Sequence, residues 1–384
     1  MSADDNFLKL NEQLQTLISD PITNRMLGLE IQLKLLDLLC SMENEINGIK
    51  MSINEMKKNS KTQKLLREER ISIGTKITSL NEDIIFIKED MKRVRELGDS
   101  IAFLYFDKHD IKHLCWKQSA GFIGGKEGLE KELKTLKKIY EFGSYGILND
   151  LTNSIKYGDI TTEKDGKPIL IEVKSSGNIN PRIERQRKDI EQAMSIIKLD
   201  EIDDFMGGSK KFKRIYTSIP EENHLDDLRE LISTAFLHGV AYGIVEEGLL
   251  YIVHYKSNDF INGFSLMKEK IIDPYIFYIN GMKDVRENYT PFSIIFSDEI
   301  SLMEFYAGNL IISVVVDKYI LSNLMEDNGY KLDFENNKVV VTFTKDNQKH
   351  KMEVSSFHFT RLGREFFSIR YFVQGIIDVL NSVN

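Results

Sequence analysis

The stretch from Gly158 to Ser175 constrains this chain more than any other. Lys164-Asp165-Gly166-Lys167 separates two strand-like runs, Gly158-Asp159-Ile160-Thr161-Thr162 and Pro168-Ile169-Leu170-Ile171-Glu172-Val173-Lys174-Ser175. Asp-Gly suits the positive φ angles of a two-residue hairpin loop. With Asp165 and Gly166 as the loop, Lys164 faces Lys167 and, counting outward, Asp159 faces Glu172. Side chains alternate along a strand, so Glu172 and Lys174 share one face. Ile169, Ile171 and Val173 share the other, which is expected to pack on helices. Facing Cβ atoms lie about 4.5–5.5 Å apart. Asp159, Glu172 and Lys174 should therefore converge.

Two carboxylates directly opposite each other destabilise a sheet. A divalent cation between them removes the conflict. Mg²⁺, or Mn²⁺ in its place, takes hard oxygen ligands, typically one or two carboxylates plus water and substrate phosphate. The Val173 backbone carbonyl would add another oxygen. Lys174 would then orient or deprotonate an attacking water, or stabilise the charge that develops in the transition state.

Around this hairpin the chain reads as mixed α and β. Met42, Ile46, Ile49, Ile53 and Met56, then Ile77, Leu80, Ile84, Ile87, Met91 and Val94, step by three and four. That spacing predicts two amphipathic helices paired as a hairpin, self-packed or dimerising. Leu27 to Leu39 is apolar on most sides and expected between helices. Composition shifts at Gly98. A glycine-bearing turn, Gly121 to Gly128, leads into a charged helix over 129–141, and a second short helix is expected over 147–155. After the hairpin come a basic helix (182–198), a strand (212–219), a helix (224–238) and a second hairpin turning at Glu246-Glu247-Gly248. Further strands are expected over 293–296, 310–316, 338–344 and 352–359, with a final helix over 366–380. Phe357, Phe359, Phe366, Phe367, Tyr371 and Phe372 are expected to build core. At roughly 150 residues per domain, 384 residues suggest two or three. The boundaries expected are 1–97 (helical), 98–260 (α/β) and 261–384 (α+β).

Gly158-Asp159 followed by Ile171-Glu172-Val173-Lys174 resembles the PD-(D/E)XK nuclease superfamily. The resemblance spans residues 126–220. The family's core runs helix, strand, strand, helix, strand, the order read above, and implies a restriction-endonuclease-like αββαβ centre. It implies that Asp159 and Glu172 hold metal and that Lys174 is the catalytic lysine. It also implies an acid on the preceding helix, either Glu141 or Asp150, with Asn153 one turn beyond Asp150. A polar group on the following helix should contact substrate, with Arg185, Gln186 and Gln192 as candidates. Gly158 stands where the family carries proline.

Charge and composition limit the alternatives. Fifty-nine acidic residues against 51 basic ones give a net charge of −8, unlike a dedicated DNA-coating protein. Nucleic-acid contact would be local, and Arg182-Ile183-Glu184-Arg185-Gln186-Arg187-Lys188 supplies local positive charge. The acidic start Met1-Ser2-Ala3-Asp4-Asp5 has no apolar run behind it, and two cysteines fit a reducing compartment. These features predict a cytoplasmic, non-membrane protein. His109, His113 and Cys115 lack a further ligand pair for zinc. Gly121 to Gly128 lacks the Gly-Lys-Ser/Thr ending of a P-loop. The expectation is a Mg²⁺-dependent DNA nuclease that self-associates through its N-terminal helices. Its large flanking regions suggest control, as in a restriction or phage-defence effector. The other reading is a nucleic-acid-binding or assembly protein that keeps the fold without catalysis.

Overall fold

The three-and-four spacing near the N-terminus builds long helices. In a computed structural model of the chain, α1 runs Ala3–Ser19, α2 Arg25–Thr62 and α3 Arg67–Tyr105. The structure describes residues 3–62, 66–115, 121–126, 128–173, 181–202, 211–257, 261–286, 288–335, 338–345 and 347–383. The helices α2 and α3 pack on each other along the predicted stripes. Met42, Ile46 and Ile53 meet Ile84, Met91 and Val94 in a buried seam. Leu29, Ile31, Leu35, Leu36 and Leu39 are buried where α1 joins them, as their apolarity on most sides requires.

The described residues form two units, 1–199 and 200–384. The helix α3 runs unbroken through 97/98, and the compositional shift at Gly98 has a local cause. A Cβ at residue 98 would meet the Leu151 carbonyl oxygen at 1.9 Å, so the glycine lets the chain approach closely.

After a short helix, α4 (Lys108–Ile111), and α5 (Leu129–Glu141), unit 1 holds a three-stranded antiparallel sheet in the order β1 (Gly146–Leu148), β2 (Ile160–Lys164), β3 (Lys167–Ile171). The helix α6 (Pro181–Leu199) follows and packs against β3. The β2–β3 register is the expected one: Lys164 pairs with Lys167 and Ile160 with Ile171. Asp165 and Gly166 take φ of 54° and 76°, as the turn demands. The helix α5 occupies the predicted residues and packs against β1 and β2.

Three expectations for this region are corrected. The stretch 147–155 is not a helix. It supplies edge strand β1 and a 3-10 turn, Asn149–Leu151. Buried Gln32 of α2 stabilises that edge: its Nε2 donates to the Gly146 carbonyl (2.9 Å) and its Oε1 accepts from Leu148 N–H (3.0 Å). Next, the strand over 212–219 shrinks to β5 (Phe212–Lys213), which pairs with β4 (Glu201–Ile202) in the other unit. The third strand beside β2 and β3 is therefore β1, from upstream. Finally, Pro168 and Leu170 are the buried residues of β3, while Ile169, Ile171 and Val173 are half-exposed. The deeper face is the one whose alternation leads to Glu172. Ile160 and Thr161 are both fully buried, so this small sheet is covered on both sides and alternation alone does not select its inner face.

Unit 2 contains a four-stranded antiparallel sheet, β6-β7-β9-β8, from β6 (Val240–Glu246), β7 (Leu249–Tyr255), β8 (Pro274–Tyr278) and β9 (Leu310–Asp317). The helix α7 (Leu225–His238) precedes it. This sheet joins residues on both sides of 260/261. A second sheet is the meander β10 (Lys331–Glu335), β11 (Lys338–Lys345), β12 (Gln348–Val354). The helices α8 (Ile261–Lys270), α9 (Phe292–Ile295), α10 (Glu299–Ala307), α11 (Lys318–Glu326), α12 (Ser356–Arg364) and α13 (Ile369–Val383) complete the unit. The expected strand over 293–296 is α9, which starts after Pro291. The expected strand over 352–359 stops at Val354, because the Ser355 side chain caps α12. Phe359, Phe366, Phe367, Tyr371 and Phe372 are buried. Among the described residues, no helix is long and apolar enough to cross a membrane.

Candidate active site

The backbone pins Asp159 at the mouth of the hairpin. Its N–H donates to the Ile171 carbonyl (2.8 Å) and its carbonyl accepts from Asn149 N–H (2.9 Å). Its Oδ2 accepts from Val173 N–H (2.7 Å), tying it across to the returning chain. Gly158 has φ of 72°, and a Cβ there would lie 2.9 Å from the Ile171 carbonyl oxygen. Proline, locked near −65°, has no access to that conformation, which explains the departure from the proline-bearing pattern. Asp159 and Glu172 lie one step outward from the last ladder pair, Ile160 and Ile171. Burial raises the Asp159 carboxyl above its ordinary range, and the neighbouring Asp150 charge adds to this.

The buried acid of α5 is Glu132, a residue the sequence reading did not select. It lies in the first turn of α5 and is 5 % exposed. Its Oε2 is buried without a hydrogen bond. Burial, then the charge of Asp159, pushes its carboxyl up to about 7. Asp150 and Glu172 push the same way, and Lys126 opposes them. These shared charges make Glu132, Asp150, Asp159 and Glu172 electrostatic neighbours, and Lys126 pairs with Asp150 among them. Glu132, Leu136 and Tyr140 are the buried residues of α5 and step by four. An acid in an otherwise apolar helical stripe was the available signal.

Asp150 joins the cluster from the 3-10 turn and pairs with Lys126. Arg95 of α3 holds that turn, donating from Nε to the Asp150 carbonyl (3.0 Å). Lys126 sits on the glycine-bearing loop ahead of α5. Glu43, buried on α2, fixes this loop by accepting from Ile123 N–H (2.7 Å) and Gly124 N–H (2.6 Å).

Other expected residues lie elsewhere. Glu141 is exposed at the far end of α5, nine residues beyond Glu132 and so roughly 13 Å along the axis at 1.5 Å per residue. Asn153 is structural: its Nδ2 donates to Asp99 Oδ2 (2.9 Å) and to the Lys92 carbonyl (3.0 Å). Asp99 also accepts from the N–H groups of Asn153 and Ser154, and burial pushes its carboxyl up to about 7. Arg185 is exposed on α6, with Gln186 and Gln192 half-exposed. Lys174 lies outside the described residues, and so does the full side of the loop that follows it.

No family model, curated protein or solved structure matches this chain. The chemistry of the site therefore rests on its own donors. All four side chains offer hard carboxylate oxygens, the set that suits Mg²⁺ or Mn²⁺. The orphaned Glu132 Oε2 is an atom that a cation would satisfy. Among the described residues, no three His, Cys, Asp or Glu side chains stand close enough together to hold a metal ion, and this includes His109, His113 and Cys115. The carboxylates sense one another's charge without being gathered round a single point.

Proposed function

We propose that this chain is a metal-dependent nuclease of the PD-(D/E)XK kind, hydrolysing phosphodiester bonds, with DNA as the preferred substrate. One observation carries this reading: Asp159 and Glu172 follow directly on the last pair of the hairpin, Asp159 is tied to Val173 N–H, and Glu132 of α5, whose carboxyl senses both charges, has a buried, unbonded carboxylate oxygen. Asp159, Glu172 and Glu132 would hold Mg²⁺ or Mn²⁺, with the Val173 carbonyl as a further donor and Asp150 beside them. A divalent cation there supplies charge to polarise the scissile phosphate and to acidify a bound water. Asp159 is kept in place by the Val173 N–H, so the acceptor oxygens need little reorganisation. Lys174, two residues beyond Glu172 in the sequence, orients the attacking water or takes its proton. Arg185 and Gln186 on α6, with Gln192, contact the substrate backbone.

The protein would be cytoplasmic and would self-associate through α2 and α3. The size of its second unit suggests a regulated effector, as in restriction or phage defence. A catalytically silent nucleic-acid-binding or assembly role is the second reading. It is favoured by the open spacing of the carboxylates.

Cleavage separates the two. Wild type, Asp159→Ala and Lys174→Ala are incubated with linear, supercoiled and single-stranded DNA and with RNA, in Mg²⁺, Mn²⁺ or EDTA. The nuclease reading expects metal-dependent cutting that both substitutions reduce at least about 100-fold, the usual contribution of a positioned acid–base or electrostatic group. Nucleic-acid binding without cutting, indifferent to Mg²⁺ and to Lys174→Ala, supports the silent reading.

A further inference from the structure

Lys126 occupies the position of a counter-ion within the carboxylate cluster. It pairs with Asp150, and its charge lowers the proton affinity of Glu132 and Asp159. Its loop is not a loose surface turn. Glu43 clamps Ile123 and Gly124 from α2, and Gly125 turns the chain at φ 82°. The Lys126 N–H donates to the Ile123 carbonyl (3.3 Å), which tightens that turn. The ammonium is thus delivered to the acids by a fixed scaffold, while its side chain keeps about a third of its surface in solvent.

The cluster needs positive charge. Glu132 is 5 % exposed, and its Oε2 is buried without a hydrogen bond. Arg95 lies beside Asp150 and bonds its carbonyl, but the cation acting on Glu132 and Asp159 is Lys126. A buried carboxylate beside three half-buried ones is costly unless a cation compensates the group. We propose that Lys126 is a built-in counter-ion, which neutralises the acids while no divalent cation is bound and must turn out of the cluster for one to bind. This rests on the metal-centre reading above and deepens it. The same displacement would free the ammonium to meet substrate phosphate in solvent, so metal loading and substrate capture would be coupled through one side chain. The open spacing of the carboxylates is then the state that Lys126 maintains.

The test is a Mn²⁺ titration followed by binding heat, without nucleic acid, on the full chain. Wild type, Lys126→Met, Lys126→Arg and Asp159→Ala are compared, with melting in EDTA recorded for each. Lys126→Met should bind Mn²⁺ at least about five-fold tighter than wild type, the lower end of ordinary coupling between two sites. It should melt lower than wild type in EDTA and recover when Mn²⁺ is added. Lys126→Arg keeps the charge and should bind as wild type does. Lys126→Gln gives the same comparison should Lys126→Met fail to fold. Binding by wild type that Asp159→Ala abolishes and the neutral Lys126 variants do not tighten overturns the counter-ion role and leaves the metal centre standing. No binding by wild type or by the neutral variants, or binding that survives Asp159→Ala, overturns both.

Discussion

Glu132 shows how one buried residue ties stability to pH. Its carboxyl titrates near 7 in the folded chain against 4.5 ordinarily, chiefly because of burial. A raised carboxyl favours the fold at low pH, and that advantage is lost as pH climbs from 4.5 through 7. Without divalent metal, Glu132→Gln should therefore stabilise the protein at pH 8 by about 2–3 kcal/mol and change little at pH 4, since the rise from 4.5 to about 7 corresponds to about 3.5 kcal/mol before solvent screening lowers it. Chemical denaturation in EDTA at the two pH values measures this. His224 in unit 2 offers an independent case. Its Nδ1 lies 3.1 Å from Asp227 Oδ2 and its Nε2 3.2 Å from Glu246 Oε2. Both ring nitrogens donate only in the protonated form. Glu246 also accepts from Ile369 and Arg370 N–H at the start of α13, and the Tyr251 ring packs edge-on to the imidazole. The hydrogen bond to Glu246 raises the His224 pKa above 6.5 despite burial. Its contribution is present below 6.5 and fades as pH rises through the raised value. His224→Gln should cost about 1–2 kcal/mol at pH 6 and markedly less at pH 9, read by denaturation at each pH.

At the scale of elements, the β2–β3 hairpin was legible because its determinants are local. Asp165-Gly166 fixes the turn, the turn fixes the register out to Ile160 and Ile171, and Asp159 and Glu172 follow directly on that pair. The helix α5 was legible for the same reason, since its glycine-bearing turn and the charged run after it lie within one segment. What the sequence hid depends on distant partners. The strand β1 is only three residues long, and Gln32, more than a hundred residues earlier, completes its edge. Glu132 was marked in the sequence only as an acid in the apolar stripe of α5, and the charge of Asp159 that acts on it comes from a separate element. Lys126 seemed an ordinary turn residue because its anchor, Glu43, lies on α2. Gln32→Leu should thus destabilise unit 1 by about 2 kcal/mol, because it leaves the buried Leu148 N–H without its acceptor. Thermal or chemical unfolding checks this, and a neutral outcome would remove the edge-sealing role.

For the whole molecule, the excess of acid is consistent with a protein that engages nucleic acid locally rather than coating it. The two units are built differently, the first on long helices and a three-stranded sheet, the second on two antiparallel sheets with helices. Only the first contains the carboxylate cluster. The central claim is that this cluster is a metal centre, and locating the ion tests it most directly. Crystals grown with Mn²⁺ and measured for its anomalous signal should show a peak among Glu132, Asp159 and Glu172, with Lys126 turned away from Asp150. A peak elsewhere on the chain, or none at millimolar Mn²⁺ with Lys126 still paired to Asp150, would contradict it.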